Sequence, residues 1–287
     1  MAVSYRFAIC NELFRDVPFA DVCERVSTAG YSGLEIAPFT LGEDATTLTS
    51  GERRELRRQM ESADIEFVGF HWLLAGPRGL HATTADDKVR RHTWNYVRSL
   101  IDLAADLAGK ADRDIVMVLG SPKQRSTVNG MAPDEAVRIL KHELAAIAPH
   151  AQSHHVKILV EALSPDQTDV VTTLAEAVEM VEQIGSPAIQ AMFDVHNARG
   201  EREPHTDLIR RFAPFIRHVH VNERDGREPG TGDYNFRELL STLAAIDYAG
   251  WVSLEIFDFS RDPMEIARAA HHYLTGALPN HLLSQAI

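Results

Sequence analysis

Four apolar runs of the chain each end on a side chain that can bind a cation or move a proton. Glu161 closes KILVE, Asp194 closes AMFD, His220 closes HVH and Glu255 closes VSLE. Carboxylates brought together in a protein interior raise one another's pKa, so three of them converging on one place call for a cation among them. With one imidazole they make an oxygen-rich donor set that favours Mn²⁺ or Mg²⁺ and is also compatible with Zn²⁺ or Co²⁺. The chemistry expected of one such divalent ion is proton transfer beside a carbonyl. Glu161 and Glu255 would reach a substrate from opposite sides, one taking a proton and the other returning it. Asp194 and His220 would anchor the ion, and the ion would stabilise an enediolate. Each residue alone has a plainer reading, as a helix cap or a hydrogen-bonded core histidine. The repetition at four successive runs is what points to a site.

The elements that must position these groups follow from the hydrophobic pattern. Strand-like runs YRFAIC, GLEIAP, IEFVGFH, DIVMVLG, VKILVE, AIQAMFD, FIRHVH and GWVSLE alternate with helical periodicity over 18–29, 51–63, 86–109, 133–153, 174–184, 207–212, a segment from an Asp233 or Asn235 cap to 246, and 261–274. Strict alternation without a linker predicts an α/β protein, a single (β/α)8 barrel of one domain over 1–287, since such barrels typically run to roughly 250 residues. Residues 276–287 read as a packed or frayed tail. In a barrel the active site lies at the carboxyl ends of the strands. His71, Trp72 and Lys123, each just after a strand, are therefore expected to line the pocket. Lys123 and Arg125 flank a Gly-Ser-Pro turn suited to an anionic or polyhydroxylated ligand. Arg227, in the Gly-rich loop after His220, is expected to hold a hydroxyl, carboxylate or phosphate. Trp94 belongs to the core by its helical spacing, and Glu12 and Glu35 suit salt bridges or caps as readily as catalysis.

Composition excludes other classes. A formal net charge of -12 disfavours nucleic acid and anionic membranes as partners. Cys10 and Cys23 are too few for a disulfide framework and read as buried thiols of a reducing compartment. Without a signal-like or membrane-spanning run, the expectation is a cytoplasmic protein acting on a small polyhydroxy carbonyl compound; a homo-oligomer is compatible with the pattern but not readable from it.

The motifs KILVEALSPDQTD, MFDVHN, HVHVNERDGREPGTGDYNF and DYAGWVSLEIF resemble the xylose isomerase-like TIM barrels, in particular the sugar epimerases and hydroxypyruvate isomerases. FAICNELF, GYSGLEIAPF and VGFHWLL follow more loosely. The resemblance implies a metal held by Glu161, Asp194, His220 and Glu255, with the two glutamates as acid/base pair. It also implies substrate contacts from Gln167, His196 and Asn197, where this chain departs from the family. Gln167 stands where epimerases carry a second glutamate, and it cannot exchange a proton at neutral pH. Asn197 stands where a histidine is common, with His196 one place earlier. Arg227 has the spacing seen in hydroxypyruvate isomerases and lies one place from that of tagatose-type epimerases.

The sequence thus predicts a metal-dependent isomerase or epimerase. A dehydratase of a sugar-like or inositol-like ketone is the alternative, because the same carbanion can expel a β-hydroxyl. An apurinic-type endonuclease fits less well, since the fourth strand ends in Leu119-Gly120-Ser121 without a histidine. A non-catalytic sugar-binding barrel is the remaining class.

Overall fold

Side chains alternate across a strand, so in a closed sheet every second residue faces the barrel interior and the others face the helices. The computed structural model describes residues 5–109 and 113–279. In it, β1 (Arg6–Cys10), β2 (Gly33–Ile36), β3 (Glu66–Phe70), β4 (Ile115–Leu119), β5 (Val156–Val160), β6 (Ile189–Asp194), β7 (Ile216–Val221) and β8 (Trp251–Leu254) close in sequence order. Every neighbouring pair is parallel. The expected (β/α)8 barrel is therefore what forms.

Between the strands lie α1 (Phe19–Thr28), α2 (Ser50–Ser62), α3 (Asp87–Ala108), α4 (Pro122–Arg125), α5 (Pro133–Ser153), α6 (Leu174–Ile184), α7 (His205–Phe212), α8 (Phe236–Ala245) and, after β8, α9 (Pro263–Gly276). Their starts are set by local chemistry. Thr49 and Glu52 form a capping box for α2, and the side chains of Asp86, Asn235 and Asp262 accept first-turn amides of α3, α8 and α9. Three of the differences from the sequence reading have a local cause or consequence. The turn after β4 winds into the four-residue α4, which Pro122 opens at a position where its missing N–H costs nothing. The helix after β6 begins two residues early, behind Pro204. The last helix runs on to Gly276, and Ala277 and Leu278 are buried beyond it; residues 280–287 of the expected tail lie outside the described residues.

Two apolar clusters divide the labour. The larger one joins the outer faces of the strands to the helices and includes Trp94, whose indole N–H donates to the Ala82 carbonyl at 3.1 Å. The smaller one, Ala8, Val68, Val116, Val118, Leu159, Met192 and Trp251, fills the barrel. Gly69 permits the closure: its φ is +150°, and a Cβ there would stand 1.8 Å from the Val116 carbonyl oxygen on β4. Cys10 and Cys23 are buried and free. No helix among the described residues is long and apolar enough to cross a membrane.

Candidate active site

Alternation also stacks the chemistry. Leu159, Met192, His218 and Ser253 lie one interior step below Glu161, Asp194, His220 and Glu255, so the upper four emerge together at the carboxyl end of the barrel. Asp194 and His220 are register partners across β6 and β7. Glu161 and Glu255 each stand one residue past their strand. All four are buried, and one ligand atom from each lies within 4.8 Å of the others.

Each member is held by its own partners. Asn197 donates its amide to Glu161 Oε1 at 2.8 Å, and its backbone N–H donates to Asp194 Oδ1 at 2.6 Å. Asn222 donates to Asp194 Oδ2 at 3.2 Å. Trp72 Nε1–H donates to Glu255 Oε1 at 2.8 Å, leaving Oε2 turned toward the imidazole of His220. On the other side of that imidazole, Nε2 lies 3.1 and 3.2 Å from the two oxygens of Glu35. Glu35 also takes His218 Nε2 at 2.8 Å.

The electrostatics report crowding. Burial, then the charges of Glu255 and Asp194, push the Glu161 carboxyl up to about 8. Burial likewise raises Glu255, against the pull of His220. It opposes ionisation of Asp194 and Glu35 as well, but the hydrogen bond and charge of His220 hold Asp194 below its ordinary range, and His218 and His220 together do the same for Glu35. Burial opposes the charge of His220, but Glu35 and Glu255 hold it well above its ordinary range, so without a cation the imidazole is charged; with Nε2–H given to Glu35, Nδ1 is the nitrogen whose proton a cation would displace. That Nδ1 is buried with no aligned hydrogen-bond partner, 3.0 Å from Glu255 Oε2 and 3.6 Å from Asp194 Oδ2. A single proton shared among crowded carboxylates is what a divalent ion would replace. The donor set therefore fits a divalent ion.

Above these groups opens a cavity of 230 Å³, lined among others by His71, Trp72, Gln167, His196, Asn197 and Phe257, with Glu161 and Glu255 exposed to it. Residues 23–276 match the family described as xylose isomerase-like TIM barrel. This chain belongs to the xylose isomerase-like TIM-barrel family. It is 25% identical over 264 residues to a probable ketose 3-epimerase of Synechocystis, covering 89% of this chain and 84% of that protein. A putative hydroxypyruvate isomerase of Streptomyces coelicolor is 26% identical over 255 residues, covering 85% and 87%. The crystal structure of a D-psicose 3-epimerase in the presence of D-fructose superposes with a TM-score of 0.82 at 19% identity, covering 95% of this chain and 99% of that one.

Within this xylose isomerase-like barrel the sequence-predicted substrate residues divide. Gln167 lines the cavity and donates to Asn197 Oδ1 at 2.8 Å, so it steadies the residue that steadies Glu161. His196 lines it with both nitrogens engaged: Arg199 donates to Nε2 at 2.8 Å, and Nδ1 donates to the Arg224 carbonyl at 2.8 Å. Neither nitrogen is left free to bond a ligand. His71 gives Nε2 to Glu12 at 2.7 Å and keeps Nδ1 without a partner.

Lys123 and Arg227 lie outside the cavity lining. Lys123 is exposed on α4 and outside the cavity lining, because the winding of that short helix turns it away. Arg227 pairs with Asp225 at 2.8 Å and also stays outside the lining, because that contact folds it back along its own loop. Arg125, the second cation of the same turn, is wholly buried and donates to the Leu119 carbonyl at 3.0 Å.

Sequence reasoning missed Asn222 and Phe257. Both were readable: Asn222 continues the inward series His218, His220, and Phe257 continues Ser253, Glu255. It also missed Leu163, which carries no chemical signal of its own.

Proposed function

We propose that this protein is a metal-dependent epimerase or isomerase of a small sugar or related hydroxy-carbonyl compound. The carrying observation is the convergence of Glu161, Asp194, His220 and Glu255 within 4.8 Å under a cavity that two of the carboxylates line. The names of the relatives, ketose 3-epimerase and hydroxypyruvate isomerase, support the same reading. A divalent ion on those four side chains, Mn²⁺ or Mg²⁺ by the oxygen-rich donors, would supply Lewis acidity that stabilises negative charge growing on the substrate oxygens.

The chain's own groups do the rest. Glu161 and Glu255 are the acid/base pair, and each is fixed by one neutral donor, Asn197 or Trp72, that orients it without protonating it. One takes the proton beside the carbonyl, an enediolate spans the gap, and the other returns a proton. Return to the opposite face of the same carbon epimerises; return to the neighbouring carbon isomerises. Trp72, Leu163 and Phe257 wall the reaction from water on the apolar side of the cavity.

The test is exchange of the substrate's α-proton in deuterated water with fructose, related free ketoses and hydroxypyruvate, metal supplied. Glu161→Gln and Glu255→Gln should each slow exchange by about 10²–10⁴-fold while the circular dichroism spectrum is retained. Exchange at the wild-type rate in both variants, or none in the wild type, would overturn the proposal.

A further inference from the structure

The mouth of the cavity is edged by aromatic side chains that the protein leaves uncovered. Trp72 lines the cavity yet is 37% exposed, and Phe39, outside it, is also 37% exposed. Phe39 meets Trp72 edge to face at 6.3 Å, Trp72 meets Phe257 at 6.3 Å, and Phe257 lies 4.8 Å from the ring of His196. These four rings form one arc running from the reacting carboxylates outward to solvent.

Two features say that the arc is built rather than incidental. The indole of Trp72 is pinned by its hydrogen bond to Glu255, so its ring cannot swing inward to hide. Its backbone has a φ of +50°, a left-handed conformation that a bulky residue holds only where the surroundings enforce it. Exposed apolar surface joined to a pocket marks a place where a ligand completes the burial.

Charge narrows the ligand. No lysine or arginine lines the cavity. Of the cations near it, Arg125 is committed to backbone carbonyls, Arg199 to His196 and Asp166, and Arg227 to Asp225, while Lys123 is exposed outside the lining. A phosphate or carboxylate at the outer end of a substrate would find no lysine or arginine in the lining to pair with it. An ammonium group prefers aromatic faces closed around it, whereas this arc is open on one side. A neutral ring suits it: the C–H face of a pyranose can lie on Phe39 and Trp72 with its hydroxyls in water.

We propose that this arc is an outer subsite for a second, uncharged ring carried by the substrate, so that the protein acts on glycosylated keto sugars. The inference rests on the epimerase or isomerase reading above and names its substrate class. Isomaltulose, a fructose bearing glucose on O6, is the probe, with fructose, fructose 6-phosphate and fructosyl-lysine beside it. In deuterium exchange the wild type should show kcat/KM for isomaltulose at least about tenfold above that for fructose, and Phe39→Ala should cut that ratio by about tenfold, with Phe39→Tyr restoring it. Fructose equal to isomaltulose, an unaltered ratio in Phe39→Ala, or preference for the phosphate or the lysine adduct would overturn the subsite.

If no compound exchanges, the functional reading falls, and calorimetric titration of the same proteins decides the subsite by itself. Tighter binding of isomaltulose than of fructose, abolished in Phe39→Ala, upholds it, and equal binding overturns it. Sedimentation completes the test. An oligomer split by Phe39→Ala would assign the arc to a contact between copies and overturn the subsite.

Discussion

His220 uses its two ring nitrogens for opposite tasks, and Glu35 decides which does which. With Nε2–H given to the carboxylate of Glu35, Nδ1 is left as the donor that points at Glu255 and Asp194. Replacing that carboxylate with an amide brings an N–H into a space that already receives N–H groups from His218 and His220. Glu35→Gln should therefore weaken Mn²⁺ binding by about 10–100-fold, measured by competition with a chelator, while the folded barrel survives. Unchanged metal affinity would mean that Glu35 serves packing alone. In the sequence Glu35 was a strand-end acid with no assigned task, because its partners His218 and His220 lie 183 and 185 residues away.

At the scale of elements, strand ends were legible and loop ends were not. The alternation that gives eight strands also states which residues share the interior, which is why Glu161, Asp194, His220 and Glu255 could be grouped before any coordinate. Nothing in a hydrophobic pattern tells which way a turn bends a long polar side chain, so Lys123 and Arg227 were placed in a cavity that neither reaches. Gly120 belongs to the same lesson. It reads as a turn residue after β4, but a Cβ there would stand 2.1 Å from Glu161 Oε2. Gly120→Ala should force Glu161 out of line, lowering proton exchange by about 10²-fold and weakening metal binding together. Parallel kinetics and metal titration check this; loss of one without the other would separate Glu161's two duties.

For the whole molecule, the crowded carboxylates make stability depend on pH and metal jointly. Glu161 has an ordinary value of 4.5 and is pushed up to about 8 in the fold. Between those values the folded chain binds more protons than the unfolded one, so without metal its stability falls as pH rises across that window. The loss is on the order of a few kcal/mol. A divalent ion takes the proton's place, so its stabilising effect should grow from pH 5 to pH 8. Thermal unfolding with and without EDTA across that range measures it, and a pH-independent difference would contradict the assignment of Glu161 as a ligand.

The groups that would hold the ion are rooted at the ends of β5 to β8, whereas Phe39, Trp72 and Phe257 stand on connections outside the strands. Trp72 belongs to both sets, since its indole holds Glu255 while its ring edges the cavity, whereas Phe39 touches none of the four ion-holding groups. If the arc selects the substrate as proposed, descendants of this protein could change Phe39, and with it the compounds they accept, without rebuilding the reaction centre.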